Sequence, residues 1–66
     1  MSGEIVYGRN PVRELIAAGR RSVSEVLVLQ QLADEDWLAG QRVAVRTRDQ
    51  LGRVAGTSDH QGVVAR

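Results

Sequence analysis

The sequence predicts a small α/β domain, a three-layer α/β/α arrangement with a mostly parallel sheet. Three observations point there. Strand-like apolar stretches alternate with helical patterns in the order β-α-β-α-β-α-β. The run Val26-Leu27-Val28-Leu29 is continuously apolar, as in a strand covered on both faces. The connections are short, with no repeat, low-complexity tract or linker, so residues 1–66 are read as a single domain.

Each element has a local cause. Ile5 to Tyr7 is a short β-prone stretch closed by Gly8. The next segment, RNPVRELIAAG, has the punctuation of a helix. Asn10 is placed to cap it and Pro11 falls at the first helical position, where a missing N–H costs nothing. Val12, Leu15 and Ile16 share its apolar face, and Gly19 can end it. Arg20 and Arg21 follow in the exit loop. Val26 to Leu29 is the strongest strand signal. LADEDWLAG is expected as a second short helix, capped by Asp34, with Glu35 and Asp36 at its positive end and Gly40 as its stop. RVAVR alternates as a half-buried strand does. In TRDQLGRVAG, Thr47 and Gln50 have the spacing of a capping box, Leu51, Val54 and Ala55 make the apolar face, and Gly56 ends the helix. TSDHQ is a loop and GVVA a last short strand.

Composition narrows the function classes. A chain of 66 residues buries only about 60% of its unfolded surface, which makes a deep dry cavity hard to build. There is no cysteine, hence no disulfide and no thiolate metal site. The start, MSGEIVYG, lacks the basic and apolar regions of a signal peptide, and apolar runs such as Val26–Leu29 are far too short to span a bilayer. A cytoplasmic location without membrane association is expected. With no phenylalanine, one tryptophan and one tyrosine, the core is aliphatic, and a sheet that stacks several bases on aromatic rings is excluded. Net charge is +1, unevenly spread. Residues 1–36 hold four arginines against six acids, whereas residues 37–66 hold five against two. All nine basic residues are arginine, whose planar fork suits phosphate and base edges; codon bias explains the same count.

His60 is the single histidine. Ser58 and Asp59 adjoin it, but sequence neighbours rarely supply a catalytic geometry, and no second ligand stands at metal spacing. Two roles remain open for it, shaping a loop or touching a phosphate. Arg9 lies beside the expected helix N-terminus, where free N–H groups attract anions, although any capped strand-to-helix turn looks the same. Arg20-Arg21 is a solvated exit loop or a clamp on a nucleic acid. No Walker motif, dinucleotide fingerprint, zinc motif or catalytic carboxylate pair is present.

The two ends together carry a resemblance. VYGRNPVRELIAAGRRSVSEVLVL at the start and HQGVVA at the end closely resemble the N-terminal substrate-binding domain of the SpoU/TrmH family, the RNA 2′-O-ribose methyltransferases, including those acting on ribosomal RNA. The likeness covers essentially the whole chain in order. It implies a fold similar to that of ribosomal proteins that bind kinked RNA. It also implies an RNA substrate-binding domain joined to a knotted catalytic domain that binds S-adenosylmethionine and carries the dimer interface. None of that catalytic domain's motifs can be placed in residues 1–66, so these residues are expected to bind structured, ribosomal-type RNA as a monomer. They are expected to hold no cofactor of their own and to transfer no methyl group. The RNA contacts implied are Arg9, Asn10, Arg20, Arg21, His60 and Gln61, with Gly62 permitting close backbone packing. Residues Gln30 to Gly40 form a shorter middle stretch than is usual in the family. Two other functions are weighed beside this one. A protein-interaction or oligomerisation module would expose an apolar patch on Trp37 and Leu38, and a free-standing enzyme would hold His60 and Asp59 in one deep pocket.

Overall fold

A computed structural model describes residues 5–19 and 23–66 of the chain. The elements in chain order are β1 (Val6–Tyr7), α1 (Arg9–Ala17), β2 (Val26–Val28), two 3-10 turns (Gln30–Leu32 and Asp36–Leu38), β3 (Val43–Val45), α2 (Arg48–Ala55) and β4 (Val63–Ala65). The four strands form one sheet in the order β1-β4-β2-β3. β2 and β3 pair in parallel, Leu27 opposite Ala44. β4 runs antiparallel to both its neighbours, placing Val64 opposite Leu27 on one side and Tyr7 on the other.

The sheet is therefore mixed and mostly antiparallel, which corrects the mostly parallel sheet expected. A continuous apolar run reports burial on both faces, and a central strand is buried on both faces whichever way it points. β2 and β4 are the two central strands and every residue in them is buried. Direction is set after α2, where the chain turns tightly at His60–Val63 and enters the gap between β1 and β2 from the opposite end.

Side chains alternate across the sheet, as the two-residue period of a strand requires. Val26, Val28, Val63 and Ala65 face α1 and pack with Val12, Leu38 and the half-buried Leu15, Ile16 and Trp37. Leu27 and Val64 face α2 and pack with Leu29 and Leu51. One of the three helices expected is not built, because the middle link is not an α-helix. Instead of one helix across LADEDWLAG there are two single 3-10 turns, separated at Glu35 by extended backbone (φ −66°, ψ 137°). A helix this short has little stability of its own. Breaking it lets Leu32, Ala33, Trp37 and Leu38 all reach the α1-side core, which one helical face could not achieve. Asp34 is exposed and caps nothing.

α1 begins two residues earlier than expected. Gly8 is its N-cap, at φ 97° and ψ 148°, and Asn10 makes no capping bond. Gly8 is buried, and its N–H donates to the Val63 carbonyl at 3.1 Å. Pro11 becomes the third helical residue, still among the first four whose N–H groups have no partner within the helix.

α2 follows the sequence expectation. The Thr47 hydroxyl accepts the Gln50 N–H at 3.1 Å, and the Gln50 side chain accepts the Thr47 N–H at 2.9 Å. Thr47→Ala is expected to lose about 1 kcal/mol in urea unfolding. Thr47→Ser, which keeps the acceptor, should lose less.

Candidate nucleic-acid interface

The start of α1 meets the turn before β4, and this junction gathers part of the expected site. Gln61 is the link. Its side-chain carbonyl accepts the backbone N–H of Arg9 at 3.0 Å, from 52 positions away. The helix cap expected from Asn10 is thus supplied by a distant loop. Asn10 remains exposed on the outer surface of α1.

The turn carrying Gln61 is tight. Val63 N–H donates to the His60 carbonyl at 3.2 Å, and the two residues between have positive φ, 56° for Gln61 and 84° for Gly62. That sign pattern is that of a type I′ turn, which suits entry into antiparallel strands. His60 fixes it from inside. Its ring Nδ1 accepts the Gly62 N–H at 3.0 Å, which leaves the ring proton on Nε2. The residue is fully buried, and Nε2 has no partner among the described residues. Its bond to Gly62 is within the turn, so in this structure the ring helps to shape the loop. Its ring lies beneath the surface, whereas Arg9 and Asn10 are exposed. Asp59 is exposed and apart from it, its N–H bonded to the Thr57 hydroxyl. The pair does not form the shared pocket that a free-standing enzyme would need.

Arg9 is exposed but engaged. Its guanidinium donates to Glu35 at 3.0 Å. The same carboxylate oxygen accepts the indole N–H of Trp37 at 2.9 Å. An exposed pair of this kind is worth only about 0–1 kcal/mol, so a phosphate can compete for the arginine. The free N–H groups expected at the helix start are largely used up. Gly8 and Arg9 N–H groups are bonded and Pro11 has none. Anion contacts here fall to side chains rather than to the helix terminus. Arg20 and Arg21 lie outside the described residues.

Three neighbours of this rim were not named as part of the RNA site from sequence: Arg13, Glu35, read as a helix start, and Trp37, weighed as an interaction patch. The Arg13 guanidinium lies 5.9 Å from the centroid of the Trp37 ring, within cation–π range. Glu35 sits in the acidic run Asp34-Glu35-Asp36, whose pattern is also that of a helix start, and nothing local distinguishes the residue that bridges Arg9 and Trp37. The apolar patch expected of an interaction module is not formed. Leu38 is buried and Trp37 half-buried. The exposed large apolar residues among those described are Ile5 and Tyr7 at one edge of the sheet and Val45 at the other.

Polar groups gathered on an open rim, carried by a small rigid α/β scaffold, define a recognition module. A family model described as RNA 2′-O ribose methyltransferase substrate binding matches residues 5–66. The chain belongs to that family, the substrate-binding domain of the SpoU methyltransferases. No curated protein matches the chain. No solved structure matches it. Among the described residues, no helix is long and apolar enough to cross a membrane.

Proposed function

We propose that residues 1–66 recognise structured RNA, of ribosomal type, on behalf of an S-adenosylmethionine-dependent 2′-O-ribose methyltransferase domain of the same parent protein. On this reading the domain binds and orients the RNA, holds no cofactor, transfers no methyl group itself, and works in the cytoplasm. The family match across residues 5–66 is the observation that carries the reading. The rim of Arg9, Asn10 and Gln61 is its surface, and Arg20 and Arg21, further along the sequence, are proposed as additional contacts. His60 serves the rim indirectly, by holding the turn that presents Gln61.

Kinked RNA suits such a surface. With an aliphatic sheet the domain reads phosphate positions and backbone shape, and Arg9 exchanges its contact with Glu35 for one with phosphate. Exposed apolar residues divided between opposite sheet edges favour a monomer. Affinity is weak without the avidity of a catalytic partner and its dimer.

The test is titration of the domain with a structured ribosomal RNA fragment, followed by NMR amide shifts and by anisotropy of labelled RNA. Shifts centred on Arg9, Asn10 and Gln61 are expected, fading as salt rises because counterions are released on binding. No binding at low salt, or shifts confined to Ile5, Tyr7 and Val45, would overturn it.

A further inference from the structure

We propose that the groove between α1 and Trp37 is a pocket for one unpaired nucleobase of the bound RNA. The assignment rests on RNA binding by the adjoining rim and adds to it a specific ligand chemistry. The groove is lined by Asn10, Arg13, Glu14, Ile16, Ala17 and Trp37, with a volume of about 530 Å³. That lies within the span of about 300–1,000 Å³ common to small-molecule clefts.

Its parts are those a base requires. Trp37 supplies a flat aromatic face. Glu35 fixes the ring by accepting its indole N–H at 2.9 Å, and Arg9 holds Glu35 in turn at 3.0 Å. The ring is therefore oriented before any ligand arrives, which removes part of the ordering cost of binding. Arg13 stands over the same ring at 5.9 Å, a planar cation able to swing out and cover an inserted base. Ile16 and Ala17 make an apolar wall. Asn10 and Glu14, one helical turn apart, offer an amide and a carboxylate to the polar edge of a base.

Charge separates a base from a phosphate here. Arg13 and Glu14 both line the groove, so their charges offset, and Arg9 at its edge is paired with Glu35. A doubly hydrogen-bonding neutral plane fits such a site better than an anion does. Phosphates on either side of the base would pass over the arginines at the rim. A duplex with all bases paired cannot fill the groove, so the pocket would select RNA with a bulge or an internal loop.

Trp37 is the single tryptophan, so its emission reports the groove directly. The probes are a blunt RNA duplex and the same duplex carrying an unpaired bulge, each fluorescein-labelled. Binding is read by anisotropy and, with unlabelled RNA, by Trp37 emission. The bulged RNA should quench Trp37 with the same midpoint as its anisotropy change, and the paired duplex should not quench. Arg13→Gln and Glu14→Gln lie on the exposed face, outside the rim, and should leave unfolding unchanged while weakening the bulged RNA. Trp37→Leu should weaken it by at least about fivefold. If both RNAs bind alike, with emission unmoved and the exposed variants neutral, the pocket assignment fails and RNA binding by the rim stands. If neither RNA binds at low salt, both fail together.

Discussion

Leu27→Ala is expected to remove about 2–5 kcal/mol of stability, the range for a fully buried leucine whose cavity cannot collapse. Leu27 is 1% exposed at the middle of β2 and packs with Leu51 of α2 and Val64 of β4. It is held between Ala44 and Val64 in the sheet, so its neighbours are strands that cannot shift independently. A domain of this size has only about 0.05–0.15 kcal/mol of stability per residue, so the loss approaches the whole. Urea unfolding followed by circular dichroism checks it. A change below about 1 kcal/mol would mean that β2 is not the centre of the fold. Val45→Ala at the exposed edge serves as the control and should cost little.

Gly62→Ala is expected to be the second most damaging change, about 2 kcal/mol or more. Two causes add. Gly62 has φ 84°, which an L side chain rarely adopts. A Cβ there would also stand 3.0 Å from the Cδ1 atoms of both Leu29 and Leu32. Gly62→Asn separates the causes, because asparagine tolerates the left-handed region but still carries the Cβ. Equal damage from both variants assigns the cost to packing, and a milder effect of asparagine assigns it to the backbone. Because Gln61 sits in the same turn, either variant should also weaken RNA binding in proportion to the turn it disturbs. Wild-type unfolding by Gly62→Ala would show that the turn does not need glycine.

Much of the candidate site was legible before the fold was known. YGRNPV and HQG stood out as motifs at the two ends of the chain, and their likeness to one family identified both. What joins them was not legible. The bond from Gln61 to the Arg9 N–H spans 52 positions, and no local pattern announces a cap that arrives from another loop. Asn10 looked like the cap because asparagine is a good one, yet Gly8 ties back to Val63 and starts the helix earlier. The burial of His60 and its bond to the Gly62 N–H were likewise not readable from the sequence. Trp37 looked like surface for a partner, and the fold made it the wall of a groove.

By itself the sequence determined the places where local preference and burial agree. The capping box of α2 stands on interactions within a few residues, and the apolar run of β2 on a hydrophobic pattern that any compact fold must bury. The tertiary structure alone decided strand direction, the break at Glu35 and the bridging of Arg9 to Trp37. A buried strand gains the same apolar contacts in either direction, so its composition carries no sign of its orientation. A nine-residue acidic stretch has too little helical stability to resist the core, and it bent where Leu32, Trp37 and Leu38 could all be covered. Long-range pairing chose among arrangements that the local residues left nearly equal in energy.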